Sequence, residues 1–264
     1  MPLPDTNHVE RNVIYGLPVT YIQDLLLQTA AANYQSAVCF FCFLKPVNYE
    51  NFKDCLNNQE KEYFDTLRCD KRKIDFLAGR YAAKMAICRI TKETDFQSIN
   101  IIHGIFNQPV TLRLPNTNIQ ASISHTDCVS AAIAFPAEVS MGIDIEKIDP
   151  DTRAVLTSQA TDKERRVLKH LTSPFVDMLT LLWTAKESLS KALRIGLTAS
   201  YSIFEVEGIE TGPDHFISHF KHFHQYSAMS FNLLNCMCSI AYPSQTEIKF
   251  DVKALREFFR QAPQ

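Results

Sequence analysis

The chain has 264 residues, 46% of them hydrophobic, enough to bury one large core or two small ones. A formal net charge of -2 gives no general attraction to nucleic acid or to an anionic membrane, so any basic site has to be local. The start, Met1-Pro2-Leu3-Pro4-Asp5, lacks a signal-peptide pattern, and the longest apolar run, Ala37 to Leu44, is far too short to span a bilayer.

In chain order, a short helix is expected around Tyr21 to Ala32, and Ala37 to Leu44 reads as a buried strand. A helical pattern opens at Glu60-Lys61-Glu62-Tyr63-Phe64, and a longer one runs from about Lys71 to Ile90. Val129 to Phe135, closed by Pro136, reads as a strand, as does Met141 to Ile148. Helical patterns return at Lys163-Glu164-Arg165-Arg166-Val167 and from Phe175 to Ile195. Cys236 to Tyr242, closed by Pro243, is again strand-like. The tail adds a strand-like Glu247-Ile248-Lys249-Phe250 and a short helix from Val252 to Arg260.

These segments repeat in the same order at a separation of roughly a hundred residues. Val129 to Pro136 matches Cys236 to Pro243, Glu60 to Phe64 matches Lys163 to Val167, Gly79-Arg80 falls opposite Ala185-Lys186, and Ala37 to Leu44 falls opposite Met141 to Ile148. The pattern predicts an α+β fold of two pseudo-twofold-related halves, 1–136 and 137–264. Each half is a small, mostly antiparallel sheet packed on a long helix, with a ligand cleft between them.

Most of the eight cysteines, Cys39, Cys42, Cys88, Cys128, Cys236 and Cys238 among them, lie in apolar runs. Cys39 and Cys42 lack the second pair of a zinc site, and on a strand they point to opposite faces. Buried thiols in a reducing, cytoplasmic compartment are expected.

Gly142-Ile143-Asp144-Ile145-Glu146 alternates apolar and acidic, so Asp144 and Glu146 leave one face of a strand while Ile143 and Ile145 fill the other. Such carboxylates form either a solvated face or a hard-cation site, and Mg²⁺ takes one or two carboxylates plus substrate phosphates. In the helix from Phe175, Glu187 is four residues after Trp183 and four before Lys191, with Lys186 beside that face. This is either an exposed Glu–Lys pair or a site where lysines neutralise phosphate and acids hold metal. Lys73, Arg80 and Lys84 lie near one face of the earlier helix, as a solvated stripe or a phosphate-binding one. Ala121-Ser122-Ile123-Ser124-His125-Thr126 suits a turn whose hydroxyls, amides and imidazole contact phosphate. No G-x-S-x-G or P-loop is present.

Five segments together resemble one family. Gly142-Ile143-Asp144-Ile145-Glu146, Trp183-Thr184-Ala185-Lys186-Glu187-Ser188-Leu189-Ser190-Lys191, Ser122-Ile123-Ser124-His125, Phe76-Leu77-Ala78-Gly79-Arg80 and Gly104-Ile105-Phe106-Asn107-Gln108-Pro109 are similar to motifs of the 4'-phosphopantetheinyl transferases, in particular the monomeric, two-half surfactin-type group. The resemblance implies transfer of phosphopantetheine from coenzyme A to a serine of an apo acyl, peptidyl or aryl carrier protein. It implies Mg²⁺, with Mn²⁺ as a substitute, held by Asp144, Glu146 and Glu187. Lys186 and Lys191 are implied on the phosphates, and Glu187 and Lys191 as the catalytic pair. Ser124 and His125 are implied at the 3'-phosphate, Arg80 on the nucleotide, and the loop from His103 to Gln108 along the adenosine. The family often has Lys or Arg where this chain has Gln108, so the resemblance carries no charged phosphate contact over to this position.

A catalytically inactive coenzyme A-binding module on the same fold is the rival reading, disfavoured by the intact Asp144, Glu146, Glu187 and Lys191. Another Mg²⁺-dependent phosphotransferase or hydrolase lacks its common motifs here. The short trimeric carrier-protein synthases are disfavoured by chain length and duplication.

Overall fold

The computed structural model describes residues 19–30, 32–42, 49–112, 118–127, 129–171, 174–196 and 199–261. Phe43, Leu44 and Cys128 lie outside the described residues.

The first half contains β1 (Val19–Gln28), β2 (Asn33–Cys42), α1 (Asn58–Thr66), α2 (Asp70–Thr91), β3 (Asn100–His103), β4 (Pro109–Leu112), β5 (Ile119–His125) and β6 (Val129–Pro136). The second contains β7 (Gly142–Lys147), α3 (Arg153–Gln159), α4 (Asp162–Leu168), α5 (Phe175–Ala192), β8 (Val206–Thr211), β9 (Phe216–Phe220), β10 (Tyr226–Leu233), β11 (Cys236–Pro243), β12 (Glu247–Lys249) and α6 (Val252–Gln261). The strands form two five-stranded sheets, β12-β1-β2-β6-β5 and β7-β11-β10-β9-β8, plus the β3–β4 hairpin. Every pairing is antiparallel. The central order recurs: β2-β6-β5 in one sheet, β7-β11-β10 in the other. The fold is therefore the α+β arrangement of related halves that the repeat predicts. One exchange crosses the divide, because β12 follows β11 in the chain yet pairs with β1.

Strand alternation builds the layers. On β2, Val38, Phe40 and Cys42 point into one core with Ile143 and Ile145 of β7, Phe231 of β10 and Ile240 of β11. Ala37, Cys39 and Phe41 point the other way, onto Ala78, Ala82 and Ala86 of α2. The two sheets thus share one core, sealed by Val252, Leu255 and Phe259 of α6. On the far side of the second sheet, Met237 and Ala241 meet Leu181, Ala185 and Leu189 of α5. Cys39 and Cys42 indeed face opposite cores, and no disulfide joins the described cysteines.

Two expectations are corrected. Tyr21 to Ala32 is not a helix: β1 occupies Val19–Gln28 and pairs with β2 along its whole length, from Val19↔Cys42 to Gln28↔Asn33. Tyr21, Leu25 and Leu27 are buried on one face, and the ladder with β2 outweighs the local helix preference of the leucines. Nor do Lys73, Arg80 and Lys84 form a solvated stripe. Lys84 is fully buried and Arg80 nearly so, because α2 packs the first sheet on one side and, through its Leu77, Leu56 and Phe64 on the other.

A single device repeats in both halves. Asn57 and Glu60 form a capping box on α1, and Thr161 and Glu164 form one on α4. Both glutamates are buried. Glu60 also accepts the Ile101 backbone N–H (3.2 Å) and Lys84 Nζ (2.5 Å). Glu164 likewise accepts the Val206 N–H (2.8 Å) and Lys186 Nζ (2.8 Å). Each carboxylate ties a short helix to a long one and to the strand that follows, satisfying groups that burial would otherwise leave costly.

Glycine sets the closest approach. A Cβ on Gly142 would lie 2.0 Å from the Ser188 carbonyl oxygen and 2.6 Å from Ala192 N, both backbone atoms of α5. Gly142→Ala therefore has to push β7 and α5 apart. A loss of about 3 kcal/mol in urea unfolding is expected, the upper end of overpacking costs.

Candidate active site

The two sheets meet edge to edge at β5 and β7. An edge strand carries unpaired amides that need partners. Here they come from serines: Ile143 N–H donates to Ser122 Oγ (3.1 Å) and Ile145 N–H to Ser124 Oγ (3.3 Å). Ser124 in turn donates to Asp144 Oδ1 (2.8 Å). Its one O–H is thus spent on Asp144 in the seam between halves, and not on the phosphate that the resemblance implies.

Lys191, from the last turn of α5, donates to the same Asp144 Oδ1 (2.7 Å) and to the Ile123 carbonyl (3.2 Å). Asp144 Oδ2 is buried, with no hydrogen-bond partner among the described residues. A buried carboxylate with one oxygen doubly held and the other unsatisfied carries a desolvation cost that a cation or donor would relieve.

Glu146 is pushed up to about 7, first by burial and then by Asp144, against the pull of Lys191 and a hydrogen bond from Trp183. Glu187 is also raised, first by burial and then by Asp144, while a hydrogen bond from the Tyr201 hydroxyl works the other way. The three carboxylates therefore share one electrostatic neighbourhood. Among the described residues, no three His, Cys, Asp or Glu side chains converge into a ready-made metal cage. Asp144 is instead drawn to Lys191, and Glu187 accepts from Tyr201. The donors nonetheless fit Mg²⁺ in kind: all are hard carboxylate oxygens, and among the described residues Asp144 Oδ2 has no hydrogen-bond partner.

A pH effect follows from Glu146. Its proton is held to about pH 7 in the folded protein, against an ordinary value of 4.5. Ionisation thus costs the folded state, and stability falls as pH rises between those values. In chelating buffer at pH 8, Glu146→Gln is expected to stabilise the protein by on the order of 1–2 kcal/mol after allowance for solvent screening. Thermal melts should show the gain fading toward pH 4.5, the ordinary carboxylate value.

Lys186 requires correction. It is 2% exposed and ion-paired with Glu164. At 100° per residue it leaves α5 well away from the Trp183–Glu187–Lys191 face, toward α4.

On the other half, Gly79 lets α2 lie close to β5, since a Cβ there would sit 3.0 Å from Ile123 Cγ2. The neighbouring Arg80 is held deep: Nε lies 3.6 Å from Glu60 Oε1, and Nη2 lies 3.3 Å from His103 Nε2. The guanidinium covers the Phe76 ring at 4.6 Å, and His103 packs against Tyr63 at 4.6 Å. Burial, then Arg80, lowers the His103 pKa. An arginine beside an imidazole, framed by Phe76 and Tyr63, offers donors and a stacking surface to an anionic aromatic ligand.

His125, 46% exposed on its side chain, has Nε2 3.4 Å from Asp75 Oδ2. Gln108 serves its own hairpin. Its Oε1 accepts from Phe106 N–H (2.9 Å), its carbonyl accepts from Gly104 N–H (2.8 Å), and Asn107 takes φ 60° to close the turn.

A family model matches residues 140–233, from just before β7 to the end of β10, and it describes the 4'-phosphopantetheinyl transferase superfamily. The likeness to that superfamily model is confined to this segment. It holds Asp144, Glu146, Glu187 and Lys191, whereas Arg80, His103, Ser124 and His125 lie outside it. Enterobactin synthase component D of Salmonella typhi is 36% identical over 124 residues, 46% of this chain and 48% of that protein. The holo-[acyl-carrier-protein] synthase of Bacillus velezensis is 42% identical over 74 residues, 25% of this chain and 61% of that protein. The chain thus spans about half the length of the enterobactin relative it matches. Among solved structures, a holo-(acyl-carrier-protein) synthase from Bacillus anthracis in complex with CoA (3',5'-ADP) is similar, with 18% identity and a TM-score of 0.31, covering 44% of this chain and 96% of that one.

Tyr201 is the site residue that sequence reasoning missed. It lies in a short 3-10 turn beyond the WTAKESLSK segment, ten residues from Lys191. Nothing in its local pattern signals that it returns to α5.

Proposed function

We propose that this protein is a Mg²⁺-dependent 4'-phosphopantetheinyl transferase acting on an apo acyl, peptidyl or aryl carrier protein. The observation that carries the reading is Asp144, held by Ser124 and Lys191 through one oxygen with the other left over, beside Glu146 and Glu187 in a segment matching the superfamily. Residues 1–136 bind the nucleotide side of coenzyme A, and 137–264 supply the acidic site.

Arg80 and His103 bind the nucleotide end of coenzyme A, with His125 at the 3'-phosphate. Lys191, already at the seam, meets the phosphates with a remaining N–H. Asp144, Glu146 and Glu187 hold Mg²⁺, which when bound neutralises charge on the pyrophosphate oxygens. The carrier serine oxygen attacks the phosphorus bearing the pantetheine arm. The P–O bond to adenosine 3',5'-bisphosphate breaks, and that product leaves with the bonding pair. Glu187, directly or through a water, takes the serine proton. Tight seating of both substrates excludes water, which would otherwise hydrolyse the pyrophosphate.

Membrane insertion through a helix has no support among the described residues, since none of their helices is long and apolar enough. We read the protein as a cytoplasmic monomer. The test is incubation with coenzyme A, Mg²⁺ and a panel of apo acyl, peptidyl and aryl carrier domains. Intact mass spectrometry should find one phosphopantetheine added to at least one carrier. Coenzyme A binding with no carrier modified would favour an inactive binding module instead.

A further inference from the structure

Glu187 projects half-buried from α5, and among the described residues its hydrogen bond comes from Tyr201. Lys191 is committed to Asp144 and the Ile123 carbonyl, so it does not fix the Glu187 rotamer. Tyr201 sits in an anchored turn. The turn Tyr201–Phe204 is capped by the Ser200 side chain, and Phe204, 1% exposed, is fixed in the core under α5 and beside Phe223 at 5.8 Å. From that base the Tyr201 ring stacks on Trp183, one turn before Glu187, with centroids 4.7 Å apart and planes 24° apart. Ring and hydroxyl therefore meet α5 at two successive turns of one face.

We propose that Tyr201 is a positioning residue for Glu187, its stacked ring and hydroxyl aiming the carboxylate so that the second oxygen is presented to a divalent cation. A hydrogen bond to an ionised carboxylate is short and strong, and a carboxylate can accept it on one oxygen while ligating through the other. Without it, a glutamate with three rotatable bonds has to be ordered by the cation itself, and affinity falls. The inference rests on the reading of Glu187 as a cation ligand.

The test uses Mn²⁺ alone, with its dissociation constant measured by electron paramagnetic resonance of the free ion. Trp183 is the single tryptophan, so its emission reports the stack directly. Tyr201→Phe keeps the ring and removes the hydroxyl. Its Mn²⁺ dissociation constant should rise about tenfold, the scale of one lost hydrogen bond to a charged group, with unchanged melting temperature and Trp183 emission. Tyr201→Leu, which lacks both ring and hydroxyl, should weaken Mn²⁺ at least as much and shift the emission. Wild-type affinity in Tyr201→Phe, while Glu187→Gln binds weakly, overturns the role of Tyr201 and leaves the transferase reading intact. Loss in Tyr201→Leu alone assigns the effect to packing and also overturns it. Wild-type Mn²⁺ affinity in Glu187→Gln overturns the cation site itself, and this inference with it.

Discussion

Glu187→Gln is expected to lower coenzyme A-dependent modification of a carrier protein by at least about two orders of magnitude, the scale of losing a general base. The substitution keeps the length, shape and stacking environment of the side chain. It removes the negative charge and the ability to take the serine proton. Its fold should survive, because Glu187 lies on the half-buried face of α5 and is not one of the buried, capped glutamates. Removing a carboxylate from a crowded acidic group also lessens repulsion, so the melting temperature in chelating buffer should hold or rise. Initial rates at saturating coenzyme A and Mg²⁺ check the chemistry, and a melt checks the fold. Transfer near the wild-type rate would remove Glu187 from the reaction.

Lys186→Ala is expected to act on stability instead, by about 3–5 kcal/mol, because it leaves a buried carboxylate without its counter-ion. Glu164 would still accept the Thr161 and Val206 amides, but its charge would be uncompensated. The double variant Glu164→Gln/Lys186→Met should recover much of the loss, since it removes both charges and keeps the volume. Urea unfolding of the single and double variants measures this. A phosphate-binding lysine would behave in the opposite way, weakening coenzyme A binding while leaving the midpoint unchanged. Lys84 and Glu60 form the corresponding pair in the other half, but Arg80 Nε, 3.6 Å from Glu60, stays as a second cation there, so Lys84→Ala should cost less.

These two lysines show why local pattern misleads at long helices. Lys84 and Lys186 are charged, near other charged residues, and on helices long enough to have an exposed side. In both halves a short capped helix covers that side and brings a glutamate with it. The helical patterns opening at Glu60 and Lys163 are legible in the sequence, and the structure shows Glu60 and Glu164 closing capping boxes there. Their second use, as partners for lysines more than twenty residues away, depends on packing alone.

The strand Gly142–Lys147 is where the two levels separate most clearly. Its alternation by itself determined that Asp144 and Glu146 share a face and that Ile143 and Ile145 are core, because a strand has a period of two whatever it packs against. The four-residue spacings of Trp183, Glu187 and Lys191 likewise determined one helix face. Only the tertiary structure decided that the two faces meet, through a glycine that lets β7 touch α5 and serines that close the edge of β7 onto β5. Only it could bring in Tyr201, or turn Tyr21 to Gln28 from an expected helix into a strand. Those outcomes rest on contacts between residues far apart in the chain, and such contacts outweigh the local preferences that a sequence reading can see.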